Sequence, residues 1–569
     1  MRVNIIGNHK KNTGVVQDVH ILHGIITHAL GNETEFRHIP HYYPQCPQAE
    51  VNFFIEVINP ALFIYAAKNI WIPNPEWTYK NWKPYASMVD EIWVKTHEAE
   101  QSFVEWGVPV KYIGWTSIDK VMIEKKDYHK AIVPVGKNVW RNPRPIIQAY
   151  MRIQQTNPML YSKLPELHIV HSPQHVDFPP IPQSLLSKII VHAEVMEEKA
   201  YDALLQECGL CICMSGAEGF GHAVNEAMSA GCVLMLSPIN PFMELTSSAL
   251  WVSESKTTKH PSCLGSLLDI DVASLVETLD CYTGYTLGHL RDTSLQMRSI
   301  YENRHQQFIA EMVVTINDLF RDMKPYSLEE QLPKEETLPK ISILTITRDR
   351  RAFIPLAKYC FIAQGYPEDK LEWVIVDDGD DQIKDLVSDI PNVKYVLTDE
   401  KMTIGAKRNL AVKSASHDIL VMMDDDDVYP NNSVLTRVAH MLVEPKKECL
   451  FSTTIPCYEI HEKKSFMNVP PITLSMSERV SEATLCFTRS FWEARNFSDI
   501  QIAEGNAFIH GREEMCRELS PQDVIVSLVH KKNTASGRRP PPAMAEPNGC
   551  HYGFSEDLFT LVSEIGESL

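Results

Sequence analysis

At 569 residues the chain is too long for one ordinary core, so roughly two to four globular units are expected. Hydrophobic residues at 44% and charged residues at 22% exclude a disordered chain. Asp and Glu outnumber Lys and Arg by 73 to 54, a formal charge of −19. That balance excludes a general nucleic-acid binder, which needs a basic surface to displace phosphate counterions.

The chain opens MRVNIIGNHKKNTG, a short apolar strand running into a polar, Gly-containing turn. It lacks the long apolar stretch and small-residue cleavage site of a secretory signal. No run of about 18 apolar residues follows, so no integral membrane segment is expected, and a cytoplasmic location is. From 1 to 125 the apolar runs VNIIG, VNFFIEV, LFIYAA and EIWVKT alternate with helical patterns. From 126 to 322 the alternation recurs with AIVPVG, ELHIVHS, IIVHAEV, LCICMS and CVLMLS. Strands alternating with helices predict an α/β fold of parallel sheets covered on both faces. Cys208, Cys211 and Cys213 have the spacing of a redox or metal motif, but their apolar run reads better as a buried strand in a reducing compartment.

The segment MSGAEGFGHAVNEAMSAGCVLML places a strand end at Ser215, a Gly-rich turn, and then a helix. Backbone amides at such a turn, with the positive helix end, suit phosphate or sugar hydroxyls. Glu218 lies on the turn and Glu226 on the helix. Upstream, VGKNVWRNPRPIIQAY offers Lys137 and Arg141 after another strand end. The Trp-rich IWIPNPEWTYKNWKPY offers stacking faces for sugar, or simply packed interdomain aromatics.

The Pro-containing, charged and aperiodic stretch at 323–339 reads as a linker. The block from 340 to 569 begins with the buried strand ISILTIT, which ends in the polar loop RDR. WVIVDDG is a second strand, ending in Asp377, Asp378 and Gly379, and TIGAKRNLAVKSA is a loop and helix. In ILVMMDDDDVYP an apolar strand runs directly into Asp424, Asp425, Asp426 and Asp427. Carboxylates crowded at a strand end require a neutralising cation, and Mg²⁺ or Mn²⁺ shared with substrate phosphates fits oxygen ligands of this kind. Strand alternation puts Asp424 and Asp426 on one side, facing one ligand. A solvated acidic turn is the plain alternative, and the order strand-DDG, GAKRN, strand-DDDD argues against it.

With TITRDR, VDDG, GAKRN and MDDDD in this order, the block resembles family-two glycosyltransferases of the GT-A fold. The resemblance implies that Thr345 and Arg348 flank the nucleotide and that Asp378 contacts its base or ribose. It also implies that Arg408 and Asn409 orient the donor, Asp424 reaches ribose or sugar, and Asp426 holds the metal. His530 would complete the metal shell. The general base of the family comes from an E-D-type motif further on. Here SDIQIAEGNAFIHGR makes Glu504 the candidate, with Gly505 in place of the second acid and Asp499 as the fallback. Arg538 and Arg539 would close over the diphosphate or form a basic tail.

EGFGHAVNEAMSAG is in turn similar to the E-G-F-G-x-x-x-x-E-A-M-A-x-G signature of retaining family-four, GT-B glycosyltransferases. That likeness implies a pair of Rossmann-like domains, acceptor-side (1–125) and donor-side (126–322), with no metal. Glu218 would lie near the donor sugar, Glu226 on the ribose, and Lys137 and Arg141 on the diphosphate. His222 and the first loop, GNHKKNTG, depart from the family pattern. The two resemblances together imply a bifunctional glycosyltransferase using nucleotide sugars, UDP-sugars by default, on a glycan or glycoconjugate acceptor. The alternative is one active GT-A transferase carrying a non-catalytic GT-B-like binding module. A nucleotidyltransferase would need a Gly-rich triphosphate loop, which TITRDRRAF is not.

Overall fold

A computed structural model describes residues 1–8, 14–172, 178–533 and 554–569. Arg538 and Arg539, and residues 9–13 of the first loop, lie outside the described residues. The chain divides into two units: 1–41, 49–58 and 68–325 form the first, and 42–48, 59–67 and 326–569 the second.

The apolar runs of the N-terminal part form β1 (Arg2–Gly7), β2 (Glu35–Pro40), β3 (Ala49–Ile55), β4 (Ala66–Ile72), β5 (Glu91–Val94) and β6 (Lys111–Tyr112). They assemble in the order β2-β1-β3-β4-β5-β6, with β1 parallel to both β2 and β3. The run LFIYAA, expected as a strand, is a 3-10 turn over Pro60–Tyr65, and β4 starts only at Ala66. Asn59 caps that turn, accepting from the Ala61 N–H at 3.2 Å, and Pro60 pre-sets its first dihedral.

A second six-stranded sheet contains β7 (Asp127–Gly136), β8 (Glu166–His171), β9 (Ile189–His192), β10 (Cys208–Cys213), β11 (Val233–Leu236) and β12 (Leu250–Trp251). Its order is β12-β11-β10-β7-β8-β9, and the pairings are parallel. Every residue of β10 is buried, and burial pushes the Cys208 and Cys213 thiols up to about 12, so these cysteines are inert core residues. A hairpin of β13 (Glu254–Lys259) and β14 (Ser266–Ile270) follows. The helices that matter for the first unit are α1 (Gly14–Leu30), α2 (His222–Ser229) and the long α3 (Leu287–Phe320). Met297, Tyr301 and Met312 of α3 share one core with Val15 and Leu22 of α1 and Val224 of α2, tying the two sheets together.

In the second unit the strands are β15 (Ile341–Thr347), β16 (Leu371–Asp377), β17 (Val393–Leu397), β18 (Ile419–Met422), β19 (Asp427–Val428), β20 (Cys449–Phe451), β21 (Ile455–Glu459), β22 (Lys464–Asn468), β23 (Cys486–Thr488), β24 (Cys516–Glu518) and β25 (Val526–Val529). A seven-stranded sheet runs β17-β16-β15-β18-β23-β20-β24, and a smaller one β19-β25-β21-β22. β15 is buried along its whole length, as expected for a central strand covered on both faces. Because β15 is parallel to β16 and β18, the loops after all three leave from the same edge, where ligands bind in open α/β sheets. The stretch read as a linker is fastened from Tyr326 onward. Its hydroxyl donates to the Ile64 carbonyl at 2.5 Å, and the Leu328 N–H donates to the Gln48 side chain at 2.8 Å. Among the described residues no helix is long and apolar enough to cross a membrane.

Candidate functional site

At that sheet edge of the second unit lies a cavity of about 850 Å³, lined among others by Arg348, Arg350, Arg408, Asp424, Asp426 and Glu504. Loops at the strand ends and residues of several helical segments supply its charged groups. After β15 the chain turns sharply at Asp349, whose φ of 51° is a left-handed value that Asp tolerates better than most residues. The two arginines on either side are thereby sent to different partners.

Arg348 pairs with Asp378, which also accepts from Lys407 Nζ at 2.8 Å and from the Met402 N–H at 2.8 Å. Burial alone would raise Asp378, but the Arg348 and Lys407 hydrogen bonds hold its carboxyl below the usual range. Asp378, expected to meet the nucleotide, thus has its charge met by side chains of the protein. Arg350 donates to Asp425 Oδ1 at 2.9 Å and lies 2.5 Å from Asp426 Oδ2.

Asp425 and Asp426 form a turn between β18 and β19, so strict strand alternation does not hold along the acidic run. Asp424 to Asp427 nevertheless all line the cavity, with Asp425 and Asp426 sharing Arg350. Asp424 takes both terminal nitrogens of Arg408, at 3.1 and 3.2 Å. Asp425 accepts from the Thr347 hydroxyl at 2.6 Å, and Asp427 from the Leu528 N–H at 3.0 Å. Asp426 Oδ2 lies 3.1 Å from Nε2 of His530, whose side chain is fully buried. Burial pushes Asp425 up to about 6 despite Arg350, and the charge of Asp426 adds to the rise. For Asp426 burial also opposes ionisation, but Arg350 and His530 prevail and hold it low.

Helix α4 (Ile404–Ser414) delivers Arg408. The Thr403 hydroxyl caps it by accepting from the Ala406 N–H at 3.1 Å. Gly405 lets the helix start touch the 498–500 segment: its N–H donates to the Ile500 carbonyl at 3.1 Å, and a Cβ there would sit 1.8 Å from the Ser498 carbonyl oxygen. Gly405→Ala must therefore push α4 away from that backbone. We expect a loss of about 1–3 kcal/mol, read as a lower melting temperature.

Arg408 is almost wholly buried, and its Nε also donates to Glu504 at 2.8 Å. Glu504 opens the short helix α5 (Glu504–Ile509) and is itself buried. Asp499, the fallback base, is exposed, accepts from the Thr403 hydroxyl at 2.5 Å, and is not among the cavity-lining residues.

Two other expected donor contacts are used elsewhere. Thr345 is buried, donating to the Met423 carbonyl at 2.7 Å and accepting from Trp373 Nε1 at 2.8 Å; Thr347, two residues on, lines the cavity instead. Asn409 spends its amide on Phe497 and Trp492, at 2.8 to 3.0 Å, and so anchors the 492–497 segment. Sequence reasoning passed over Arg350, Thr347 and Lys407, each of which lies inside a quoted motif.

In the first unit the signature residues gather where α2 faces α1. Arg141 grips Glu218 in a fork, Nε to Oε1 at 2.6 Å and a terminal nitrogen to Oε2 at 3.0 Å. Asn138 and Ser215 donate to the same carboxylate at 3.1 and 2.9 Å. Glu226 accepts from Gln17 of α1 at 2.6 Å, and burial raises its carboxyl above the usual range. His222 lies 2.8 Å from Asp18 and 2.9 Å from the Ser117 hydroxyl. Glu76 is pushed up to about 8, by burial first and then by the charge of Glu218. Lys137 is exposed on the turn after β7.

Residues 342–486 match the family model for glycosyl transferase family 2. A GDP-mannose:cellobiosyl-diphosphopolyprenol alpha-mannosyltransferase of Xanthomonas oryzae pv. oryzae (strain PXO99A) is 49% identical over 47 residues, which are 8% of this chain and 12% of that relative. Among solved structures, the mannosyltransferase PcManGT from Pyrobaculum calidifontis, in complex with GDP-Man and Mn²⁺, is 18% identical. That likeness covers 35% of this chain and 60% of that one, with a TM-score of 0.28. A structure described as trehalose-6-phosphate from E. coli bound with UDP-2-fluoro glucose is 10% identical, covering 57% of this chain and 100% of that one with a TM-score of 0.44. The family match begins in β15 and ends in β23, taking in the strand ends that carry the cavity, so the second unit contains a glycosyl transferase family 2 domain.

Proposed function

We propose that the second unit transfers a sugar, with inversion, from a nucleoside-diphosphate sugar to a hydroxyl of a glycan or glycoconjugate. The observation that carries this reading is the convergence on one cavity of Arg408, Asp424 and Asp426, all within the family-two segment, with His530 buried beside Asp426. UDP-sugars are the default donors. Arg408 orients Asp424 for the ribose or sugar, and the Arg348–Asp378–Lys407 group fixes the loop beside the nucleotide.

Asp426 and His530 are the residues that would hold Mn²⁺ or Mg²⁺. Asp426 lines the cavity and the buried His530 nitrogen lies 3.1 Å from its Oδ2, and among the described residues no group of three metal-ligating side chains is found. Such a two-donor set fits a hard cation that takes its remaining ligands from phosphate and water. When bound, the ion supplies electrostatic stabilisation of the leaving diphosphate. The acceptor proton passes to a carboxylate at the Glu504 end of the cavity.

For the first unit we propose a second, retaining transfer in which Glu218 lies by the donor sugar, Glu226 on the ribose, and Arg141 and Lys137 on the diphosphate. The engagement of Arg141 with Glu218 favours the other reading, a binding module without chemistry. The full chain, incubated with a panel of nucleotide sugars with Mn²⁺ or with chelator, decides between them. We expect Glu218→Gln to remove one product linkage, by about 100-fold or more, and to spare the metal-dependent one. If Glu218→Gln and Glu226→Ala leave every product unchanged, the first unit is a binding module.

A further inference from the structure

The residue after Glu504 is Gly505, so an acid that the E-D-type pattern would place there is absent, and Glu504 has committed an oxygen to the buried Arg408. The space beside Gly505 is nevertheless filled by a carboxylate from elsewhere in the chain. A Cβ on Gly505 would meet Glu482 Cγ at 2.8 Å and Glu482 Oε1 at 2.9 Å, and the Gly505 N–H donates to that same Oε1 at 3.1 Å.

Glu482 is half-buried and lines the cavity together with Glu504, Arg408 and Asp424. It sits on the 3-10 turn Glu482–Thr484, which leads into β23. The turn is held firmly. Tyr429 donates to the Ala483 carbonyl at 3.0 Å while accepting from the Asp424 N–H at 2.8 Å, and the Thr484 hydroxyl is bonded on both sides.

We propose that Glu482 is the general base of the second unit, its side chain reaching into the place that a side chain at position 505 would take. The inference rests on the transferase reading above. The acceptor O–H gives its proton to the Glu482 carboxylate as the acceptor oxygen bonds to the anomeric carbon. The bond from that carbon to the diphosphate oxygen breaks, its electron pair leaves with the nucleoside diphosphate, and Glu482 later returns the proton to solvent. Glu504 keeps Arg408 in place. The surroundings of Glu482 suit proton abstraction near neutral pH, because burial first, and then the charge of Glu504, push its carboxyl up to about 7 against the pull of Arg408.

The test uses the full chain with Mn²⁺, a panel of UDP- and GDP-sugars, and methyl glycosides as acceptor probes. We expect Glu482→Gln to lower kcat by about 100- to 10,000-fold, with nucleotide binding by calorimetry and the donor KM unchanged. The rise of wild-type kcat as pH passes about 7 should vanish in this variant. A Cβ at 505 would also meet Val480 Cγ1 at 2.8 Å, so Val480→Ala/Glu482→Ala/Gly505→Asp, which clears both side chains and puts a carboxylate back, should recover part of the rate lost in Val480→Ala/Glu482→Ala. Wild-type kcat in Glu482→Gln, in preparations where Asp426→Asn is inactive, would overturn the base and leave transfer standing. Loss of nucleotide binding along with kcat would make Glu482 a structural residue and overturn the base too. No nucleotide release by the wild type from any donor, with or without the acceptor probes, would overturn both readings.

Discussion

Asp426→Asn is expected to lower metal-dependent nucleotide release by about 1,000-fold or more while leaving the fold intact. Asp426 presents Oδ2 to His530 at 3.1 Å and to Arg350 at 2.5 Å, and is the only carboxylate so placed among the described residues. An amide keeps the shape but removes the charge that holds a hard cation. Stability should change little, because Arg350 keeps Asp425 as a partner at 2.9 Å. Mn²⁺ titration of both proteins, with turnover measured at saturating metal, separates weakened metal binding from a lost chemical step. An Asp426→Asn enzyme with undiminished release at low Mn²⁺ would sink the assignment of the metal site.

Arg408→Met should have the largest effect on stability. Its guanidinium bridges Glu504 at 2.8 Å and Asp424 at 3.1 and 3.2 Å, and the side chains of Arg408 and Glu504 are each 4% exposed. Removing the cation strands a buried carboxylate, which costs about 3–5 kcal/mol where such pairs are broken one-sidedly. Adding Glu504→Gln removes one of the stranded charges, so the double variant should regain about 1–3 kcal/mol relative to simple additivity. Urea unfolding followed by a probe in the second unit measures both, since a two-unit chain need not melt in one step. If Arg408→Met is as stable as the wild type, the bridge is not the structural support that its burial indicates.

The central strands were legible because their chemistry is local. ISILTIT and LEWVIVD are β-rich apolar runs, and they became β15 and β16 within the family-two segment. Partnership across the chain was not legible. Arg350 stands two residues from Arg348, yet a left-handed turn at Asp349 sends it to Asp425 and Asp426, which no spacing rule foretells. Thr345 and Asn409 carry the right residue types, but tertiary packing had already claimed their hydrogen bonds. LFIYAA reads as a strand by composition, and a capping Asn followed by Pro overrides that preference. Glu482 lay outside every motif, and only the backbone contact at Gly505 reveals its place.

Residues 42–48 and 59–67 fold with the second unit although 49–58 between them belongs to the first. No single cut can therefore divide the gene into two self-sufficient halves. A fragment beginning at Tyr326 would lack Ile64 and Gln48, the partners that fasten its own first residues. During synthesis those two N-terminal segments leave the ribosome long before the strands they accompany, so they must wait for the C-terminal sheet or be held meanwhile by other contacts. Functional dissection of this chain belongs to point variants in the intact protein, and a truncated C-terminal fragment that fails to work would say more about its missing N-terminal pieces than about its active site.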